Sequence, residues 1–191
     1  MLKLKIIPMI LIVLILIICL NSCADNRVAF GPEAGTYEIM LDEEVWSVID
    51  SQSIYQLWLL REPLDNMSMG ILLMIDCYKK ADMEGLSVPD FESFIKFYKT
   101  FGPVMEMYEN EDASVQDLLD ISQRDMRGSS ATSGKRQQVK TNLTDFDLTT
   151  EYIFLESDNY YFAMSYGVET PSYNLVQDTI GDVVKNLKVL K

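Results

Sequence analysis

Ser68-Met-Gly-Ile-Leu-Leu-Met-Ile-Asp-Cys-Tyr78 decides the architecture of this chain. As an extended strand it puts Met69, Ile71, Leu73, Ile75 and Cys77 on one face. Leu72, Met74 and Tyr78 share the other face with Gly70 and Asp76. A strand that is apolar on both faces is a central strand covered on both sides. Helices or a second sheet must then lie on each face. Upstream, Tyr37-Glu-Ile-Met-Leu41 and Ile54–Leu60 read as further strands. Asp42, Glu43, Glu44 and Val45-Trp46 lie between them, and Glu62-Pro63 to Asn66 breaks the second.

Downstream, Ser87-Val-Pro-Asp90 opens a predicted helix, with Ser87 able to cap it and Asp90 near its positive end. Phe91, Phe94, Ile95, Tyr98 and Phe101 recur there at helical spacing, and Gly102-Pro103 stops the run. Ser114-Val-Gln-Asp117 opens a second predicted helix that ends near Met126. Gly128–Gly134 contains only small residues and reads as a loop. Thr144–Glu156 and Tyr160–Val168 alternate on either side of Ser157-Asp-Asn159, which predicts a hairpin. In its first arm Phe146, Leu148, Tyr152 and Phe154 take one face, and Asp145, Asp147 and Glu151 take the other. Thr170-Pro171 starts a final helix with an apolar side of Leu175, Ile180, Val183, Val184 and Leu187. This order predicts an α+β fold, a central antiparallel sheet flanked by helices.

The composition narrows the function classes. The chain has 191 residues, 16 basic and 29 acidic side chains, no His, and a formal charge of −13. Without imidazole, His-based triads and His-ligated metal sites are excluded. Such acidity argues against a nucleic-acid partner, which needs basic surface. There is no Walker loop, dinucleotide fingerprint or Cys-x-x-Cys, and no cofactor is expected.

The N-terminus has the layout of an export signal: Lys3 and Lys5, then an uncharged run Ile6–Leu20. That run is shorter than the roughly 20 apolar residues a spanning helix needs. An uncleaved anchor helix that borrows Asn21–Ala24 is the alternative. Leu20-Asn21-Ser22-Cys23 resembles the lipobox of bacterial lipoprotein precursors, with Asn21 standing where a small or apolar residue is usual. The resemblance implies that Cys23 receives a diacylglycerol and becomes the first residue of the mature chain. Expected boundaries are 1–22 for the leader, 23–36 for the lipidated Cys and a linker, and 37–191 for a single domain. Cys19 falls in the leader, so Cys77 remains alone and is expected to behave as a small buried hydrophobe.

A second resemblance covers most of 37–191. Tyr37-Glu-Ile-Met-Leu41 leading to Trp46, the strand Ser68–Tyr78, the helix after Ser87, the late hairpin, and the closing Gly181-Asp-Val-Val-Lys-Asn-Leu-Lys-Val-Leu190 resemble the PsbP-like superfamily. Asp42–Glu44 occupy the stretch where that group often has a Pro before the early Trp. The resemblance implies a three-layer α/β/α sandwich. It also implies a non-enzymatic domain that binds or assists other proteins.

Three acidic groups could offer oxygen ligands for calcium: Asp42/Glu43/Glu44, Glu109/Glu111/Asp112 and Asp145/Asp147. None has EF-hand spacing, and solvated turns are the favoured reading. Ser133-Gly134-Lys135 lies in a Gly/Ser stretch that is a poor platform for a nucleophile. Tyr55, Trp58 and Tyr161 are the candidate binding aromatics, because their strand neighbours do not fix which face they occupy. The expected function is a membrane-tethered extracytoplasmic lipoprotein that contacts an envelope protein. A small-ligand or calcium receptor is the alternative, and a carboxylate-based hydrolase comes third.

Overall fold

The computed structural model describes residues 26–49, 53–102, 114–116, 119–122, 124, 126–142 and 147–190. The leader, Cys23, the group Glu109/Glu111/Asp112 and Asp145 lie outside the described residues. In chain order the elements are β1 (Arg27–Phe30), β2 (Tyr37–Asp42), β3 (Trp46–Ile49), β4 (Gln56–Arg61) and β5 (Ile71–Lys79). Helices α1 (Lys80–Glu84) and α2 (Phe91–Phe101) follow. Next come β6 (Ser114–Val115), β7 (Leu119–Asp120), β8 (Ser133–Asn142), β9 (Asp147–Glu156) and β10 (Tyr160–Glu169). A 3₁₀ turn (Thr170–Ser172) leads into α3 (Tyr173–Lys185) and the closing β11 (Leu187–Val189).

Two antiparallel sheets result. One has the order β3-β4-β5-β10-β9-β8-β6, with β7 also pairing β8; the other has the order β1-β2-β11. β5 is central, as its two apolar faces require. Register fixes the sides, because directly paired residues of antiparallel strands share a face. Leu57, Ile75, Met164 and Ile153 lie on one side. Trp58, Met74, Ser165 and Tyr152 lie on the other.

The first side is covered by the small sheet and α3. Tyr37, Ile39, Leu41 and Leu187 pack there with Val176, Ile180, Val183 and Val184. The second side carries α2, whose Phe91, Phe94, Ile95 and Tyr98 lie on Tyr152, Phe154, Tyr161 and Ala163. Each fully buried large side chain stabilises by about 1.5–3 kcal/mol, so this single stripe holds α2 down. Asp90 caps the helix, its Oδ1 accepting from the Ser93 amide at 2.7 Å. Ser87, the expected cap, instead takes a left-handed φ of 63° in the preceding turn.

The helix-flanked α+β sandwich expected from sequence is corrected here. The described residues are mostly antiparallel strand with a few short helices. A second sheet supplies much of the cover on one side, and α2 with Met83 of α1 covers only part of the other. The helix expected over Ser114–Met126 is replaced by β6 and β7, both hydrogen-bonded to β8. β8 was not foreseen, because Lys135, Arg136, Gln137, Gln138 and Lys140 hide a strand in a polar run. β1 falls inside the stretch read as linker and pairs with β2 from Arg27↔Asp42 to Phe30↔Ile39.

Gly70 marks the entry to β5. A Cβ there would sit 2.4 Å from the Arg61 carbonyl oxygen. Backbone cannot yield as a flexible side chain does, so Gly70→Ala is expected to lose about 1–3 kcal/mol. Urea unfolding checks this, and an unchanged midpoint would mean that the β4–β5 entry shifts freely.

Candidate functional site

β4 and β5 carry two adjoining features, one on the α2 side of the sheet and one at the end of the strands. The first is a strip that α2 leaves bare. Ile49, Trp58 and Met74 are half-buried, while Leu60 and Leu72 are 42% and 38% exposed. The pairs Ile49↔Trp58, Trp58↔Met74 and Leu60↔Leu72 place all five side chains on one face. None of them belongs to the α2 core. Exposed apolar patches are less common on a protein surface than single apolar residues, and they often mark interaction sites.

The second feature begins one residue pair further on, at Gln56↔Asp76. Here a 440 Å³ pocket opens between the Ala34–Thr36 turn, the Ser53–Gln56 segment, the end of β5, and α1 with Asp82 and Met83. The Ala34 amide donates to the Ile54 carbonyl at 2.8 Å and ties the rim together. Asp76 is 4% exposed. Its Oδ1 accepts from Gln56 Nε2 at 2.6 Å and its Oδ2 from the Tyr98 hydroxyl at 2.7 Å. Burial raises the Asp76 carboxyl above its ordinary range, and those two hydrogen bonds offset part of the rise. Burial likewise pushes the neighbouring Cys77 thiol up to about 12, which keeps it a neutral, unreactive thiol.

The three candidate aromatics separate. Tyr55 stands half exposed at the pocket wall. Trp58 lies at the centre of the bare strip. Tyr161 is 2% exposed, its ring stacked on Phe94 at 4.7 Å and 13°, so it fills the core under α2. Sequence reasoning missed Asp76, although a lone acid among apolar neighbours on a covered strand is itself a sign of a partnered site.

The acidic groups named for calcium do not assemble. Glu43 and Glu44 are exposed in the β2–β3 turn, where Asp42 Oδ1 accepts from the Glu44 amide at 3.0 Å. Among the described residues no three Asp, Glu, Cys or His groups converge on a metal-sized site. Asp76 and Asp82 do line one pocket, but both Asp76 oxygens are engaged from within the protein. Ser133 Oγ donates to Glu156 at 2.7 Å in β8, and Lys135 pairs with Glu92 of α2. Ser133 thus links β8 to β9, and Lys135 links β8 to α2 at the surface.

A separate polar cluster sits on the other side of the sheet, under α3. Glu151 is 1% exposed and takes donors from Arg136, Tyr166, Tyr173 at 2.6 Å and Gln177 at 3.3 Å. Burial works against its charge, yet Arg136 and the two tyrosine hydroxyls outweigh it and hold the carboxyl below its ordinary value.

No family model matches the chain, and no curated protein matches it. Solved structures do, and they define a shared fold. LpqN of Mycobacterium tuberculosis, a protein involved in cell envelope biogenesis, aligns at 9% identity and a TM-score of 0.54, over 86% of this chain and 91% of its own. The cyanobacterial PsbP of Synechocystis aligns at 10% and 0.51, over 87% and 94%. The Saccharomyces cerevisiae Ran-binding protein Mog1p aligns at 10% and 0.50, over 87% and 96%. This chain spans about half (49%) of a Bacteroides thetaiotaomicron structure that it also resembles. At these identities the likeness is one of fold, and the fold is PsbP-like.

Proposed function

We propose that this chain is a non-enzymatic binding domain, tethered by a lipid at Cys23 outside the cytoplasm, whose Trp58 strip contacts a protein of the cell envelope. The bare apolar strip on β3–β5 carries this reading. Its rigid, flat, half-buried Trp58 is the type of residue that dominates protein interfaces. The committed oxygens of Asp76 favour binding over acid–base work at the pocket. The fold supports the reading by analogy, since it is shared with an envelope-biogenesis protein and a Ran-binding protein. The apolar run before Cys23 and the acidity of the chain support a body held off the membrane by acyl chains.

Two measurements test it. Growth with labelled palmitate should mark the protein, and Cys23→Ala should abolish the label; a Cys23→Ala protein that still labels contradicts the anchor. Leu60→Glu sits at an exposed position and should leave the folding stability within about 0.5 kcal/mol of wild type. It should nevertheless deplete the protein that copurifies after crosslinking. An unchanged set of copurifying proteins contradicts the strip as the interface.

A further inference from the structure

The stretch 23–36, which reads from sequence as a linker, is already folded at β1. That strand opens at Arg27, paired with Asp42. Just before it, Asn26 Nδ2 donates to Glu44 Oε1 at 3.4 Å in the β2–β3 turn. Only Ala24 and Asp25 lie between Cys23 and Asn26. Fully extended, three residue steps reach about 11 Å at most. A lipid on Cys23 therefore holds the β2–β3 turn close to the bilayer surface.

The bare strip starts at this same end. The Glu62 amide donates to the Val45 carbonyl at 3.0 Å, and the pairs Trp46↔Arg61, Ser47↔Leu60 and Ile49↔Trp58 follow along the ladder. At about 3.4 Å per residue, Leu60 lies about 7 Å from the turn and Trp58 about 14 Å. The β9–β10 turn, Ser157-Asp-Asn159, stands at the opposite end of the sheet, beyond the Lys79↔Tyr160 pair and about 27 Å along β5 from Ile71. Strands that begin at the membrane run away from it. Side chains stand perpendicular to their sheet, so the strip looks sideways, along the plane of the bilayer.

We propose that the Trp58 strip meets the membrane-proximal, extracytoplasmic surface of an integral membrane protein in the same bilayer. This partner class rests on the reading of the strip as a protein contact and of Cys23 as the anchor. The whole strip lies within about 25 Å of the acylated sulfur, at the height where a neighbour rising from the same bilayer presents its flank. Lipid is a poor occupant, because the strip does not face the bilayer. In addition, Glu43, Glu44, Glu62 and Asp65 stand exposed at the tethered end, where anionic head groups repel them. Basic side chains beside the partner's apolar contact would complement those four acids.

Two experiments on the lipidated full chain decide. The first uses phosphatidylcholine vesicles that carry an acceptor dye on the head groups. A donor dye at exposed position 43 should transfer energy more efficiently than one at exposed position 158. Equal transfer, or stronger transfer from position 158, overturns the orientation and the proposal with it. The second is made in cells. A photoreactive residue at position 60 should attach to an integral membrane protein, at peptides adjoining its spanning segments. Attachment to a soluble envelope protein, or to peptides remote from any spanning segment, overturns the proposal and leaves the strip as a protein contact. Attachment to lipid alone, or to nothing, removes the strip and the proposal together. Palmitate labelling is followed in parallel: an unlabelled chain removes the anchor and the proposal, but not the strip.

Discussion

Glu151→Ala is expected to lose about 3–5 kcal/mol of folding stability, a large share of the roughly 5–15 kcal/mol typical of a domain. The change strands Arg136 as an unpaired charge at the edge of the α3 core. It also removes the acceptor of the Tyr166 and Tyr173 hydroxyls and of the Gln177 amide. Those donors come from β8, β10 and α3, so one carboxylate ties three elements together. Removing both charges, as Glu151→Leu with Arg136→Met, should cost less than Glu151→Ala alone, because no orphaned charge remains. Acid behaviour follows with a definite sign. Glu151 is depressed below its usual 4.5, so its contribution is present above that value and fades as pH falls through the folded-state value. The acid limb of the stability profile should therefore flatten in Glu151→Gln. Urea unfolding between neutral and acid pH reads both effects, and a loss below about 1 kcal/mol for Glu151→Ala would show that the cluster is not holding α3.

Phe94→Ala is expected to lose about 3–5 kcal/mol. Phe94 is fully buried and is the hub of the α2 core, stacked on Tyr161 at 4.7 Å and edge-on to Phe154 at 6.4 Å. It also touches Tyr78 and Tyr98 at 5.4 and 6.1 Å. Each aromatic pair adds about 0.5–1.5 kcal/mol beyond burial. Because Tyr98 carries the hydrogen bond to Asp76, loosening α2 should also disturb the pocket. Amide exchange should show α2 losing protection before β2 and α3, which pack on the opposite side of the sheet. Simultaneous loss over the whole molecule would contradict two separately packed cores.

How much of this was legible in the sequence differs by element. β5 announced itself as central because both of its faces are apolar, and the β9–β10 hairpin was readable from its turn. α2 was readable from its aromatic spacing. β8 was not, because a strand that pairs on both edges yet carries Lys, Arg and Gln has the composition of a loop. Its stability comes from its neighbours, β9 on one edge and β6 and β7 on the other. Ser114–Met126 carries a helical pattern in its apolar residues, but pairing with β8 overrides it where the chain is described.

The alternation places Glu151 with Asp145 and Asp147 on the face opposite Tyr152 and Phe154. Ile153 and Leu155, two and four residues on, share its face and lie in the core, so the parity signal was present. A buried acid is invisible to an alternation rule that equates charge with water. Of the residues at the strip and the pocket, Tyr55 and Trp58 are the ones that the sequence names as candidates. Asp76 and Gln56 needed the β4–β5 register, which no local pattern encodes.

The central claim is that the bare face of β3–β5 meets a protein in the envelope. Site-specific photocrosslinking in living cells from position 60, at the exposed Leu60, tests it most directly, with exposed position 175 of α3 as the control. The account predicts that one envelope protein is captured from position 60 and not from position 175. Capture of lipid alone from position 60, or the same proteins from both positions, would contradict it.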